Sequence, residues 1–328
     1  LEGEGLGPVE PQSSLPWVMP WRVIVVGESL APIVESNLVT TLAPASKVRD
    51  TSWIKPGRAS WSWWSDNDSP KQYERMLPYV DLAADMGWEN FLVDANWNEM
   101  KGGTWKDIVA YAAKKKVKIL LWYNSGGENN FVSEKPRDLM SVRDKRRAEM
   151  KEIASAGVAG IKVDFFQSDK QVTIRQYLEL LEDAYEAKLL VNFHGCTLPR
   201  GWERTWPNLM GHEAVRGAEQ YLFSQRFPER APAHNTMLVF GRNAVGPMDY
   251  TPVTFTNVKY PHKTTNAHEL ALSVVFENGL QHFADSVAGY RGLPDPARAF
   301  LKEVPVAWDE TRYVAGAPGK LAVLARRK

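Results

Sequence analysis

Ala159-Gly-Ile-Lys-Val-Asp-Phe-Phe166 is an apolar run carrying two charges near its carboxyl end. Such a run predicts a buried strand. Alternation along a strand sends residues i and i+2 to one face, so Lys162 and Asp164 share a side. An ammonium beside a carboxylate keeps the latter ionised at neutral pH, which is the state a carboxylate nucleophile needs. The structural reading of the same two charges is a buried ion pair closing one layer of a barrel.

Outward from this strand, short apolar runs alternate with helical segments from Ser52 onward, the signature of βα units. The expected strands are Ala59–Trp64, Asn90–Ala95, Lys118–Tyr123, Gly160–Phe166, Leu189–Phe193, Leu209–Glu213, Met237–Phe240 and Gln281–Asp285. Amphipathic stretches such as Gln72–Met86 and Arg143–Ala156 supply helices between them. Eight strands in this alternation predict an α/β fold, a closed (β/α)8 TIM barrel, over residues 51–303. An open doubly wound sheet is the alternative, but no Gly-rich phosphate fingerprint follows the first strand.

The ends read differently. Residues 17–44 contain two strand-like runs, Trp21-Arg-Val-Ile-Val-Val26 and Asn37-Leu-Val-Thr-Thr-Leu42, so residues 1–50 are expected to be the end of an upstream β domain plus a linker. A last short helix is expected at Ala297–Lys302, and residues 304–328 return to strand alternation, as the start of a further β domain. The Gly-, Glu- and Pro-rich start, Leu1 to Leu15, contains no signal peptide and looks like an excised piece.

Forty basic residues against 39 acidic ones give a net charge of +1, which offers no basic stripe for nucleic acid. No apolar run reaches the roughly 18 residues of a membrane span. The partner expected is therefore neutral. The single Cys196 rules out an intrachain disulfide, and the six histidines lack HExxH spacing, which argues against zinc. A calcium site built from carboxylates and carbonyls leaves no such spacing signature.

In a barrel of this type, catalytic groups come from the carboxyl ends of the strands. Those ends carry Ser65-Asp-Asn-Asp68, Asp94-Ala-Asn-Trp97, Tyr123-Asn124, Asp164, Asn192-Phe-His194, Glu213 with Arg216 and Glu219, Met248-Asp-Tyr250 and Asp285. Carboxylates, amides, imidazole and tryptophan without a serine elbow or phosphate loop are what sugar recognition uses. Glycoside cleavage needs two carboxyl groups, one to attack or to activate water and one to deliver a proton. Asp164 is the candidate nucleophile, and Glu213, Glu219 and Asp249 compete as proton donor. Lys162, Asn192, His194, Asp94 and Asp249 are candidate ligands for substrate hydroxyls, and Trp63, Trp64 and Trp97 are candidate stacking walls. Three structural readings stand beside these: Asp66 or Asp68 as a helix N-cap, Asp94 bound to nearby backbone, and Lys114-Lys-Lys116 as a solvated helix end.

The stretches Lys162-Val-Asp-Phe-Phe-Gln-Ser-Asp-Lys-Gln171, Val191-Asn-Phe-His-Gly195, Gly211-His-Glu-Ala-Val-Arg-Gly-Ala-Glu-Gln220 and Gly246-Pro-Met-Asp-Tyr-Thr-Pro252 together resemble glycoside hydrolase family 97. Trp53-Ile-Lys-Pro-Gly57 and Trp61-Ser-Trp-Trp64 extend the likeness over nearly all of residues 17–328. The resemblance implies hydrolysis of α-glycosides by a barrel set between an N-terminal β-sandwich and a small C-terminal β domain. Inverting α-glucosidases of the family place a glutamate directly after the His of the Asn-x-His motif, where this sequence has Gly195. Retaining α-galactosidases carry an aspartate nucleophile at the end of strand four, which Asp164 matches. The resemblance thus implies a retaining α-galactosidase acting on α-linked galactoside oligosaccharides, with Glu219 as acid/base and Glu213 and Glu219 as calcium ligands. It also implies a further calcium ligand from the upstream sandwich and a periplasmic or secreted location. The competing expectations are an inverting α-glucosidase of the same family and a barrel that only binds oligosaccharide.

Overall fold

The computed structural model describes residues 7–127 and 130–328, so the first six residues of the Gly-rich start lie outside the described residues. Seven parallel strands make a nearly closed barrel: β1 (Gly57–Trp61), β2 (Asn90–Val93), β3 (Lys118–Asn124), β4 (Val158–Asp164), β5 (Leu190–Phe193), β6 (Leu209–His212) and β7 (Leu280–Phe283). Their order is β6-β5-β4-β3-β2-β1-β7, with helices over the outside. The strands are buried almost throughout, as a parallel sheet covered on both faces requires.

Local sequence explains the helices between them. Helix Tyr73–Met86 buries Met76, Tyr79, Val80, Ala83 and Met86, spaced three and four apart, and stops at Gly87, whose φ of 66° closes the last turn. Helix Trp105–Lys114 starts with a reciprocal capping box between Thr104 and Asp107. The expected helices at 72–86, 143–156 and 297–302 are observed as Tyr73–Met86, Arg143–Ser155 and Asp295–Glu303.

The structure corrects the expected seventh strand. Met237–Phe240 is the last turn of helix Phe227–Leu238 and the residues after it, with Leu238 buried and Met237 exposed. A four-residue apolar run cannot distinguish a strand from a helix end by periodicity. In the place of an eighth strand, residues 247–251 thread the seam between β6 and β7. Asp249 N–H donates to His212 O at 2.9 Å and Met248 N–H to Glu277 O at 2.8 Å, while Gly279 N–H reaches Met210 O directly at 2.9 Å.

The ends divide. Residues 21–26, expected as a strand, have no regular structure and leave Trp21, Ile24 and Val26 exposed; no described strand pairs with them. Residues 37–42, also expected as a strand, form the short helix Leu38–Leu42. It docks on helix Trp202–Thr205 through Thr40 to Glu203 and Arg204 to the Ala43 carbonyl. At the other end the expected alternation is realised as an antiparallel hairpin, β8 (Glu310–Ala317) and β9 (Leu321–Arg327). No described helix is long and apolar enough to cross a membrane.

One buried charge pair holds two outer helices together. Arg146, 1% exposed, donates to Asp183 Oδ2 at 2.7 Å and to the Met140 carbonyl at 2.9 Å, across helices Arg143–Ser155 and Gln171–Glu186. Asp183→Ala removes the buried carboxylate, leaving the more exposed Glu179 at 3.3 Å as the acidic partner of that guanidinium, and is expected to cost about 3 kcal/mol. Urea unfolding checks this, and a midpoint within error of the parent would refute it.

Candidate active site

The carboxyl ends of β4, β5 and β6 lie side by side, in register Lys162 to Asn192 and Asn192 to Gly211. Beyond the strands the ladder continues for one rung, His194 N–H to Val163 O at 2.9 Å and Glu213 N–H to Phe193 O at 2.7 Å. Asp164 is the last residue of β4 because Phe165 turns into the left-handed region, at φ 67°, and breaks the extended run. Its Oδ1 accepts the Phe165 N–H at 2.7 Å and its Oδ2 accepts the Trp122 indole N–H at 3.2 Å. These two donors fix the carboxylate at the mouth of the barrel.

The expected pairing of Lys162 with Asp164 is corrected. The Lys162 ammonium bonds Asp94 Oδ2 at 3.0 Å and lies 4.5 Å over the Trp61 ring. Asp94 in turn accepts the Trp61 indole N–H at 2.8 Å and its neighbour's Ala95 N–H at 2.7 Å. The aspartate at the end of β2 therefore takes the salt bridge, and Lys162 acts on Asp164 only through space. Burial pushes the Asp164 carboxyl up to about 6, against the opposing pull of the Lys162 and His194 charges. It is still mostly ionised at neutral pH.

Asp249 is the hub of a second cluster. It is fully enclosed, and its Oδ2 accepts from Asn192 Nδ2 at 2.6 Å, His194 Nε2 at 2.7 Å and His282 Nδ1 at 2.7 Å. Burial opposes its charge, but the two imidazoles hold the carboxyl well below its ordinary range. A proton donor needs the reverse, so Asp249 leaves the contest for that role.

Glu213 and Glu219 stand on the loop after β6 with side chains one-fifth exposed. His194 Nδ1 is 3.6 Å from Glu219 and 3.8 Å from Glu213, and Glu213 Oε2 accepts the Gly195 N–H at 2.8 Å. Burial and the neighbouring Glu213 charge push the Glu219 carboxyl up to about 8. Burial and Lys162 press His194 down, but Glu213 and Asp249 outweigh them and lift it to about 9.

Ligand atoms of His194, Glu213 and Glu219 lie within 4.8 Å of one another. Two crowded carboxylates suit a hard cation such as calcium, since it would relieve their repulsion; the imidazole, already tied to Asp249, is foreign to calcium's oxygen preference. The glutamates fit calcium as part of its shell.

Of the three candidate stacking residues, Trp63 is partly buried and stacks on Trp61 with centroids 5.7 Å apart. Trp64 and Trp97 are buried, and their indole N–H groups serve the Ala218 and Trp122 carbonyls. Asp66 and Asp68 do not cap the short helix that follows through their side chains; they pair with Arg75 and Lys71. An open groove of about 790 Å³, lined by Phe165, Gln167, Thr197, Leu198 and Arg200, runs up to Gly195 and Glu213.

Gly195 has φ 48°, and a Cβ there would sit 2.9 Å from Asp164 Oδ1 and 2.7 Å from the Phe165 nitrogen. Any side chain at 195 would compete with Asp164 for space. The sequence reading gave no role to Trp61, Trp122 or His282. Trp122 is the cross-strand partner of Lys162 and so shares its face, a register that the structure supplies.

The family model described as "Glycoside hydrolase 97" matches residues 53–215. A "Probable retaining alpha-galactosidase" of Streptomyces bingchenggensis is 39% identical over 320 residues, covering 94% of this chain and 47% of the relative. A "Retaining alpha-galactosidase" of Bacteroides thetaiotaomicron is 32% identical over 335 residues, covering 94% and 48%. A crystal structure of a beta-arabinopyranosidase superposes with a TM-score of 0.88 at 38% identity, over 92% of this chain and 49% of that one. The chain spans about half the length of the curated relatives it matches.

Proposed function

The chain belongs to glycoside hydrolase family 97, and on that premise we propose that it hydrolyses α-galactosides with net retention of configuration. The observation that carries this reading is the place of Asp164: a mostly ionised carboxylate, aimed by two N–H donors, beside a glycine that leaves no room for a water-activating glutamate. In this reading Asp164 attacks the anomeric carbon while Glu219, whose raised pKa suits a proton donor, protonates the departing oxygen. A β-linked galactosyl-enzyme forms. Glu219 then takes a proton from water, which attacks the same carbon and releases α-galactose.

The surrounding residues take roles consistent with their contacts. Lys162 and His194 present charge towards substrate hydroxyls, with Asp94, Asn192 and Asp249 holding them in place. Trp63 offers the apolar sugar face a ring. Glu213 and Glu219 would hold calcium, which supplies charge neutralisation and orientation when bound. This reading places the leaving group in the open groove beside Gly195 and Glu213.

A second reading has a specific observation behind it, the 38% identity to a protein called beta-arabinopyranosidase. A β-L-arabinopyranoside matches an α-D-galactoside around the ring and lacks only the C6 hydroxymethyl group, so the same two carboxyl groups could serve it.

The deciding experiment compares aryl α-galactoside, α-glucoside and β-L-arabinopyranoside with calcium and then with chelator, following the first product by NMR. Galactoside turnover with α-galactose appearing first, and loss of rate on chelation, is expected. Initial β-galactose would exclude retention, and binding of α-galactosides with turnover of no substrate would favour a barrel that only binds.

A further inference from the structure

Arg242, just past helix Phe227–Leu238, is a buried cation near the site that the mechanism above does not use. It is 8% exposed, and among the described residues it forms no ion pair within 4 Å. Its guanidinium donates instead to five backbone carbonyls. Nη2 reaches His212 O at 2.9 Å, Glu213 O at 3.1 Å and Pro247 O at 2.9 Å; Nε reaches Ala214 O and Nη1 reaches Gly246 O, both at 3.1 Å. Burial pulls its pKa down to about 10, as expected of a cation compensated mainly by dipoles. A charge held in so costly a place has a geometric purpose to serve.

The five carbonyls belong to two segments. One is the end of β6 and the start of the loop that carries Glu213 and Glu219. The other is the approach to Asp249. His212 O is shared, taking both the Arg242 guanidinium and the Asp249 N–H. The far end of the Glu219 loop is tied to the same neighbour, through Ala218 N–H to Tyr250 O at 2.9 Å, and Gly217 is needed because a Cβ there would fall on that carbonyl. Ala214, at φ 36°, holds an uncommon backbone conformation at the near end, directly under Arg242.

We propose that Arg242 is a positioning residue for the proton donor: by clamping the carbonyls of residues 212–214 against those of 246–247, it sets where Glu219 stands relative to Asp164. This rests on the reading of Glu219 as acid/base. A planar fork with five donors suits the task, and an ammonium cannot reproduce it.

The test uses the ratio of kcat/KM on two substrates with the same sugar, a 2,4-dinitrophenyl α-galactoside that departs without a proton and a methyl α-galactoside that needs one. This ratio does not depend on how much of a variant is folded. Arg242→Met and Arg242→Lys are both expected to lose roughly 100-fold on the methyl glycoside and less than about tenfold on the activated one, because a displaced acid forfeits most of its catalytic contribution. A ratio equal to that of the parent in both variants, whether both rates fall or neither does, overturns the proposal. A parent protein inert to both galactosides overturns the substrate reading instead, and the same ratio on the glycosides of whichever sugar it does cleave then decides the role of Arg242.

Discussion

Asp164→Gly is expected to lower kcat by about ten-thousand-fold or more on every substrate, since the variant has no group with which to form a covalent intermediate. The loss should be chemical rather than structural. Asp164 lies at a strand end, 8% exposed, and among the described residues its side chain bonds only the Trp122 indole and the Phe165 N–H. Glycine removes a buried carboxylate and leaves those donors close to the mouth of the barrel, where an anion can enter. Added azide should therefore restore turnover of an activated aryl α-galactoside and yield β-galactosyl azide. Hydrolysis close to the parent rate, or an α-azide product, would refute the nucleophile assignment.

The second large effect belongs to Glu219. Glu219→Ala is expected to lose roughly 100- to 10,000-fold on glycosides with poor leaving groups and far less on dinitrophenyl galactoside, because only the former need the proton. With the activated substrate the galactosyl-enzyme should accumulate, and azide should then attack it from the opposite face to give α-galactosyl azide. The two variants thus give azides of opposite configuration. The same anomer from both would mean that the two carboxyl groups do not flank the sugar.

The fold was largely legible from residues 159–166 outward, because buried parallel strands announce themselves by short apolar runs and the intervening helices by their three- and four-residue spacing. The misreadings fall where local sequence is ambiguous. Met237–Phe240 is apolar enough for either structure, and residues 21–26 look like a strand although no described strand pairs with them. In the site, the i, i+2 rule correctly put Lys162 and Asp164 on one side, yet could not reveal that Lys162 pairs with Asp94, 68 residues away. Long-range partners of that kind depend on how strand ends are staggered around the barrel. Asp249 offers the same lesson: its loop position does not reveal the three donors to which the threading of 247–251 between β6 and β7 delivers it.

The crowding between Gly195 and Asp164 bears on how such a site can change its stereochemical outcome. A lineage that acquired a glutamate at 195 first would force a bulky acid against the existing one. A lineage that lost the aspartate first would be left with neither an attacking group nor a base for water. Both single steps pass through a poor enzyme, so descent from one outcome to the other demands a paired exchange, and sequences carrying both acids or neither should be rare among active descendants.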